Sequence, residues 1–499
     1  MSNITIRNKN HSFLHVDCEP SVGNEIADFF TFYVPGYKFM PMYKNKIWDG
    51  KIRLYDIRTK ELPAGLLTYL QEFAGAEGRD YTLEIKHDNY YGTAGAKNQI
   101  DISFLKDMVV SAAGKQIFHN DHQTQSIQHA IENKRALIVS PTGSGKSLII
   151  YSIIRWYLEN KHKKVLIIVP TTSLVEQMYK DFADYSEYDN NFDHEKICHR
   201  IYSGREKITD KKIIISTWQS VYKLNGQWFE PFGMIFGDEA HNFKAKSLVS
   251  ILSKCREAEY RFGTTGTLDG TQTHKLVLEG YFGPVYYATT TKKLQDEGIL
   301  SDLDIDILLL KYPPEICQAV TKMKYKDEID YIVRNEKRNK LIANLALDQD
   351  GNTLVLFQFV EKHGKPLHTL IRDKAHERRK VFFVSGTTDV ETREQIRQIT
   401  EKEKNAVIVA SIGTFSTGIN IRNLHNIIFA SPSKSQIRVL QSIGRGLRKS
   451  DDGRGTKLYD FADDLHWKGK RNFTLNHSAE RIKIYSREKF KYKIFEVDL

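Results

Sequence analysis

Short runs of apolar, mostly β-branched residues recur along the chain in two sets. The first holds Ala136–Val139, Val165–Val169, Ile213–Ile215 and Met234–Phe236; the second holds Leu354–Phe359, Val381–Val384, Val407–Ala410 and Ile427–Ala430. Runs this short, bounded by turn or polar residues, predict strands buried on both faces. The helical stretches between them predict parallel βαβ units. The pattern therefore predicts an α/β chain with two tandem lobes of parallel sheet flanked by helices. A small α+β domain is expected before them and a short basic, partly helical segment after them. The expected boundaries are 1–95, 96–285, 286–450 and 451–499, with the Gly/Ala-rich stretch Tyr91–Lys97 marking the first.

The amino-terminal part carries its own pattern. Asp49-Gly50 between Ile47-Trp48 and Lys51-Ile52 predicts a tight hairpin. Lys44, Lys46, Trp48 and Lys51 would lie on it, among Lys38, Arg53, Tyr37, Phe39, Tyr43 and Tyr55. Two readings stand open: charges for phosphates and rings for unstacked bases, or the core and solvated edge of a small domain. Lys468–Lys493, also basic and aromatic, leaves two readings open: contact with the duplex ahead of the motor, or aromatics packed onto the second lobe with the charges in water.

Charge adds to this picture. Lys and Arg number 73 against 62 Asp and Glu, a net +11 with a pI near 9.1, which favours a polyanionic partner. The 4 cysteines are scattered without a Cys-x-x-Cys pair, so neither a zinc site nor a disulfide framework is predicted. No apolar run is long enough for a membrane span, and the expectation is a cytoplasmic protein.

The chemistry lies between the runs. Ser140-Pro-Thr142-Gly143-Ser144-Gly145-Lys146-Ser147 follows a predicted strand and opens a predicted helix. Glycines there aim backbone N–H groups at phosphates, Lys146 reaches the β and γ phosphates, and Ser147 is a candidate Mg²⁺ ligand. The strand Met234–Gly237 ends in Asp238-Glu239-Ala240-His241. Asp238 would complete the Mg²⁺ shell and Glu239 would orient or deprotonate the attacking water, which predicts ATP hydrolysis. His241 stands either as a relay or as a turn histidine. In the second set, Gln441-Ser-Ile-Gly-Arg445-Gly-Leu-Arg448 places two guanidinium groups on one helical face. They can neutralise γ-phosphate charge, or else form a basic helix end.

Together with these motifs, His119–Gln123, Pro170–Gln177, Ile215–Gln219, Arg261–Leu268 and Ala410–Asn420 make the chain resemble the superfamily-two helicases and translocases over most of residues 118–465. Among them it is similar to the phage recombination and repair helicases. The resemblance implies two RecA-like lobes. It also implies adenine contact at Gln123, strand gripping at Thr171, Thr217 and Thr417, nucleotide contact at Gly418, and coupling through His241, Thr265, Thr267 and Gln441. The family's usual alanine is Gly266 here. ATP and Mg²⁺ are the implied cofactors. Branched DNA, forks, junctions and RNA–DNA hybrids are the implied substrates, with single-strand-binding and recombination proteins as partners and a monomer as the working unit. An ATP-gated nucleic-acid clamp and the motor subunit of a restriction-type nuclease are the alternatives.

Overall fold

The computed structural model describes residues 2–86, 100–242, 245–268, 272–376, 379–418, 421, 423–432, 435–447 and 452–499. The chain forms two compact units, 1–140 with 145–288, and 289–499 with the loop residues 141–144. The expected boundary stretch Tyr91–Lys97 lies outside the described residues.

The first unit opens with strands β1 (Ser2–Asn8), β2 (Phe13–Asp17), β3 (Thr31–Tyr33), β4 (Lys51–Arg53), β5 (Glu61–Pro63) and β6 (Tyr81–Lys86). Four of these make a mixed sheet in the order β5-β2-β1-β6, while β3 and β4 pair separately. The Asp49-Gly50 hairpin is corrected. β4 pairs with β3, not with Ile47-Trp48, and the chain between them carries the helical turns Tyr37–Phe39 and Pro41–Lys44. Gly50, at φ +83°, makes a turn, but the Asp49 carboxylate accepts from Lys51 N–H and pairs with Arg53 within that turn. This local bonding competes with a two-residue hairpin.

A small pair, β7 (Ser111–Ala112) with β8 (Lys115–Gln116), precedes the first large sheet. Its strands are β9 (Arg135–Val139), β10 (Lys164–Val169), β11 (Cys198–Ile201), β12 (Ile213–Thr217), β13 (Phe232–Gly237), β14 (Tyr260–Thr265) and β15 (Val285–Tyr287). They run in the order β11-β12-β10-β13-β14-β9-β15, every pairing parallel. The residues of β9, β12, β13 and β14 are buried throughout, as unbroken apolar runs require.

The amino-terminal domain is joined to this lobe by a shared core. Leu276 and Val277, from the helix Gln272–Phe282, are buried among Leu62, Leu66 and Leu70. A Cβ on Gly65 would lie 1.9 Å from the Glu279 carbonyl oxygen, so the backbones meet where only glycine fits. Arg261, at the start of β14, is fully buried and meets no carboxylate among the described residues. Its Nε donates to Tyr281 O, Nη1 to Cys255 O and Ser12 Oγ, and Nη2 to Leu252 O. Burial pushes its pKa down to about 10.

The second unit contains β16 (Leu303–Lys311), β17 (Asn352–Phe357), β18 (Val381–Val384), β19 (Val407–Ser411), β20 (Leu424–Phe429), β21 (Thr456–Asp464) and β22 (Lys491–Asp498). Their order is β18-β19-β17-β20-β21-β16-β22, again parallel throughout. Residues 456–464 and 491–498 are strands of this sheet, and the helix Phe473–Arg487, which connects them in the chain, packs against both. The carboxy-terminal segment is thus built into the second lobe. Its Tyr485 and Phe490 are buried, while Phe473 and Tyr492 are exposed.

Candidate active site

In an open parallel sheet, ligand-binding loops gather at the carboxyl ends of the strands, where helix N-termini and free backbone N–H groups point. The candidate residues of the first lobe are carried there. The loop Ser140–Gly145 follows β9, Thr171 follows β10, Thr217 ends β12, Asp238–His241 follow β13, and Thr265 ends β14.

Gly143 and Gly145 adopt φ +86° and +83°, the left-handed conformation that lets the loop curl before the helix Lys146–Asn160 begins. Lys146 Nζ donates to Ser140 O at 3.1 Å, folded back on the loop it serves. Gln123 Oε1 accepts from Asn120 N–H at 2.8 Å, closing a capping box on the helix Asp121–Asn133. Its amide lies so close that a Cβ on Gly145 would sit 2.2 Å from Nε2. The proposed adenine-binding side chain and the phosphate loop are therefore packed together.

Asp238 is buried, and its Oδ1 accepts from Thr264 Oγ1 at 2.7 Å. Burial, reinforced by the adjacent Glu239 charge, pushes its pKa above the ordinary carboxylate range, while Lys146 pulls the other way. A cation beside it would reverse that push. Ser147 Oγ and the Asp238 carboxylate are oxygen donors of the kind a hard divalent ion takes, so they fit Mg²⁺.

Glu239 is held at φ +50°, a left-handed conformation that costs a side-chain-bearing residue and is concentrated at functional sites. Its Oε2 is buried, accepts no hydrogen bond from the described residues, and lies 3.6 Å from His241 Nδ1. An acceptor carboxylate oxygen held ready in this way suits a group that polarises water. His241 Nδ1 is 2.6 Å from Thr265 Oγ1, which in turn donates to Thr267 O at 2.8 Å. The histidine thus ties the β13 loop to the β14 loop. The scattered cysteines are free thiols, and no cluster of three or more His, Cys, Asp and Glu side chains with metal-site geometry occurs among the described residues.

Two further contacts were not visible in the sequence. Thr264, beside the recognised Thr265, bonds Asp238. Tyr185, with no motif around it, has its hydroxyl 2.7 Å from Ser147 Oγ. Tyr185 closes the helix Thr172–Tyr185, and Thr171 caps the other end by accepting from Leu174 N–H at 3.3 Å. Thr217 Oγ1 is 2.9 Å from Ser220 Oγ and mostly buried. Thr171 and Thr217 follow neighbouring strands, since Val169 and Thr217 are register partners in β10 and β12.

On the second lobe, Gly418 ends the helix Ile412–Gly418, which also contains Thr417. Gln441 and Arg445 lie on the helix Gln436–Gly446. Arg448 lies outside the described residues, and the side chains of Thr417, Gln441 and Arg445 are not described. In the amino-terminal domain, Lys44 and Lys46 are exposed and Lys51 lies over the Tyr33 ring at 5.0 Å. Trp48 is half-buried and donates from Nε1 to Lys51 O at 2.9 Å.

A phosphate loop, an Asp-Glu-Ala-His strand end and a Thr-Thr strand end on one parallel sheet, followed in sequence by a second such sheet, define a helicase of superfamily two. Three family profiles match: "Type III restriction enzyme, res subunit" over residues 116–270, "DNA helicase UvsW, N-terminal" over 3–86, and "Helicase conserved C-terminal domain" over 336–450. The chain is 36% identical to the ATP-dependent DNA helicase uvsW of Enterobacteria phage T4, over 98% of this chain and 99% of that protein. It is 24% identical to the DNA 3'-5' translocase XPB2 of Sulfurisphaera tokodaii, over 66% of this chain and 79% of that one. The crystal structure of T4 UvsW superposes with a TM-score of 0.51 at 34% identity, covering 99% of both chains. The chain belongs to the UvsW family of ATP-dependent DNA helicases. It is an ATP-using, DNA-binding enzyme, and no helix among the described residues is long and apolar enough to cross a membrane.

Proposed function

We propose that this helicase remodels branched DNA in recombination, repair and replication control: it migrates junctions, regresses forks and dissociates R-loops and D-loops. The observation that carries this reading is that the likeness to the T4 helicase runs through the amino-terminal domain as well as both lobes. Residues 142–147 and Gln123 bind ATP, with Lys146 on the β and γ phosphates. Ser147 and Asp238 would hold Mg²⁺, which supplies charge neutralisation on the phosphates. Glu239 orients the attacking water, and Arg445, Arg448 and Gly418 are the second lobe's contribution to nucleotide chemistry. His241, Thr265, Thr267 and Gln441 couple that chemistry to movement. Thr171, Thr217 and Thr417 hold strand phosphates, so tracking is indifferent to sequence. Lys44, Lys46, Trp48 and Lys51 extend the contact to the branch. The setting is cytoplasmic, and the working unit is a monomer that meets single-strand-binding and recombination proteins on its substrates.

The test is steady-state ATPase with no nucleic acid, single-stranded DNA, linear duplex, a four-way junction and an RNA–DNA hybrid loop at matched nucleotide concentration. Greater stimulation by the junction and the hybrid loop than by linear duplex supports the reading. Stimulation by RNA alone, or by nothing, overturns the substrate assignment.

A further inference from the structure

Residues 34–50, between β3 and β4, form a projecting loop with an unusual division of labour. Its base is fixed. Tyr33 and Tyr37 stack with centroids 4.6 Å apart, Tyr37 meets Tyr43 edge-on at 4.8 Å, and Val34 N–H donates to Gly50 O at 2.8 Å. A Cβ on Gly50 would fall 2.3 Å from the Tyr37 ring, so the ring is seated directly on the turn. None of residues 34–50 belongs to the hydrophobic core of the domain, and neither helical turn, Tyr37–Phe39 or Pro41–Lys44, has a buried residue. The tip carries large apolar side chains in water: Phe39 is 80% exposed, Ile47 70% and Met42 49%. Lys38, Lys44 and Lys46, all exposed, lie in the same stretch, and residues 34–48 contain no Asp or Glu.

An apolar ridge set among lysines, on a support that does not collapse onto it, is complementary to a ligand that shows anionic and flat apolar surface side by side. Paired duplex shows phosphates but hides its base faces in the stack. Nucleotides left unpaired at a branch point show both. Resting on the branched-DNA reading above, we infer that the 34–50 loop is a stacking pin. Phe39, supported by Met42 and Ile47, takes the face of an unpaired base at the branch point, while Lys38, Lys44 and Lys46 hold the flanking phosphates. The pin selects branched over linear DNA. Trp48 braces the base through its bond to Lys51 O.

The experiment uses the full chain, a four-way junction carrying 2-aminopurine at the crossover, and a linear duplex carrying it at its centre. Phe39→Ala combined with Ile47→Ala is expected to weaken junction binding roughly 10-fold and abolish the 2-aminopurine change at the crossover. Duplex affinity and the thermal midpoint stay as in the wild type, because paired duplex hides its base faces and the replaced side chains are exposed. Phe39→Trp is expected to restore junction affinity and to show tryptophan quenching by the junction but not by the duplex. Unchanged junction affinity and 2-aminopurine signal in the double variant overturn the pin. So does an equal loss on junction and duplex, or a change in sedimentation that reveals contact between copies. Failure of the underlying reading shows separately, as wild-type ATPase that no branched DNA stimulates beyond linear duplex.

Discussion

The two seven-stranded sheets are alike in strand direction and in the burial of their central strands, but they use charged residues in opposite ways. In the first lobe the acids at the strand ends meet no arginine among the described residues: Asp238 accepts from one threonine, and Glu239 keeps a buried oxygen that accepts no hydrogen bond from them. In the second lobe the acids of β21 are consumed internally. Asp463 accepts from Arg338 Nε at 2.7 Å and Tyr312 Oη at 2.8 Å, and Asp460 accepts from Arg481 Nη2 at 2.7 Å and Tyr485 Oη at 2.8 Å. Glu328 receives Phe473 N–H, Thr474 N–H and the Asn472 amide, capping the helix Phe473–Arg487. One architecture therefore serves either a reactive edge or a braced body, depending on whether a strand-end carboxylate meets an arginine.

The largest test of that contrast removes a group from the reactive edge. Lys146→Ala is expected to lower ATPase by roughly 10²-fold or more while leaving DNA affinity and thermal stability close to wild type. Full ATPase in that variant would remove the phosphate loop from the mechanism. The reciprocal change, Asp463→Ala in the braced body, leaves the Arg338 charge buried alone. It is expected to destabilise the second lobe by about 3–5 kcal/mol in denaturant unfolding. Replacing both partners, Arg338→Met with Asp463→Leu, should recover much of the loss, because the cost lies in the orphaned charge.

A third test uses pH. His363 is buried in the second lobe, with Nδ1 2.9 Å from Ser431 Oγ and Nε2 3.2 Å from Asn339 Oδ1. Burial, with the Arg338 charge, lowers its pKa from 6.5 to about 3. The unfolded chain therefore binds this proton first as pH falls below 6.5, and stability is lost from there down towards pH 3. The expected loss at pH 5 is about 2 kcal/mol relative to neutral pH, absent in His363→Gln if that variant folds. Unfolding curves from pH 5 to 8 check the sign. The smallest effect is expected from Tyr185→Phe, which frees the Ser147 hydroxyl. The Mg²⁺ concentration giving half-maximal nucleotide binding should move by roughly threefold to tenfold, about the value of one hydrogen bond. An unmoved Mg²⁺ dependence would make the Ser147–Tyr185 contact structural only.

The placement of the first lobe's candidate residues at the strand ends was largely legible in the sequence because its signals are local. A glycine loop between an apolar run and a helix, and Asp-Glu at the end of another run, each fit within a few residues. The braced body was less legible. Arg338 and Asp463, or Arg481 and Asp460, meet only after folding, so β21 reads as part of the basic segment 451–499. β22 is exposed along nearly its whole length at the sheet edge, which erases the apolar run that marks inner strands and lets its lysines pass for a basic tail. Asp49-Gly50 misled for a related reason: a dipeptide reports a turn, but the partner strand was chosen by β3, on the far side of the projecting loop. Tyr185 was invisible because a helix of ordinary composition carries it to Ser147.

The seam between the amino-terminal domain and the first lobe sets the mechanics of everything mounted on it. Arg261 binds the two at one end of β14, while Thr264 and Thr265 touch Asp238 and His241 at the other. With Leu276 and Val277 embedded in the smaller domain's interior, the exposed tip of residues 34–50 and the strand-end residues Asp238–His241 belong to one compact unit. Both sit in a single frame of reference, like a blade welded to its drive shaft. Any displacement of this lobe along DNA then reaches the tip without backlash.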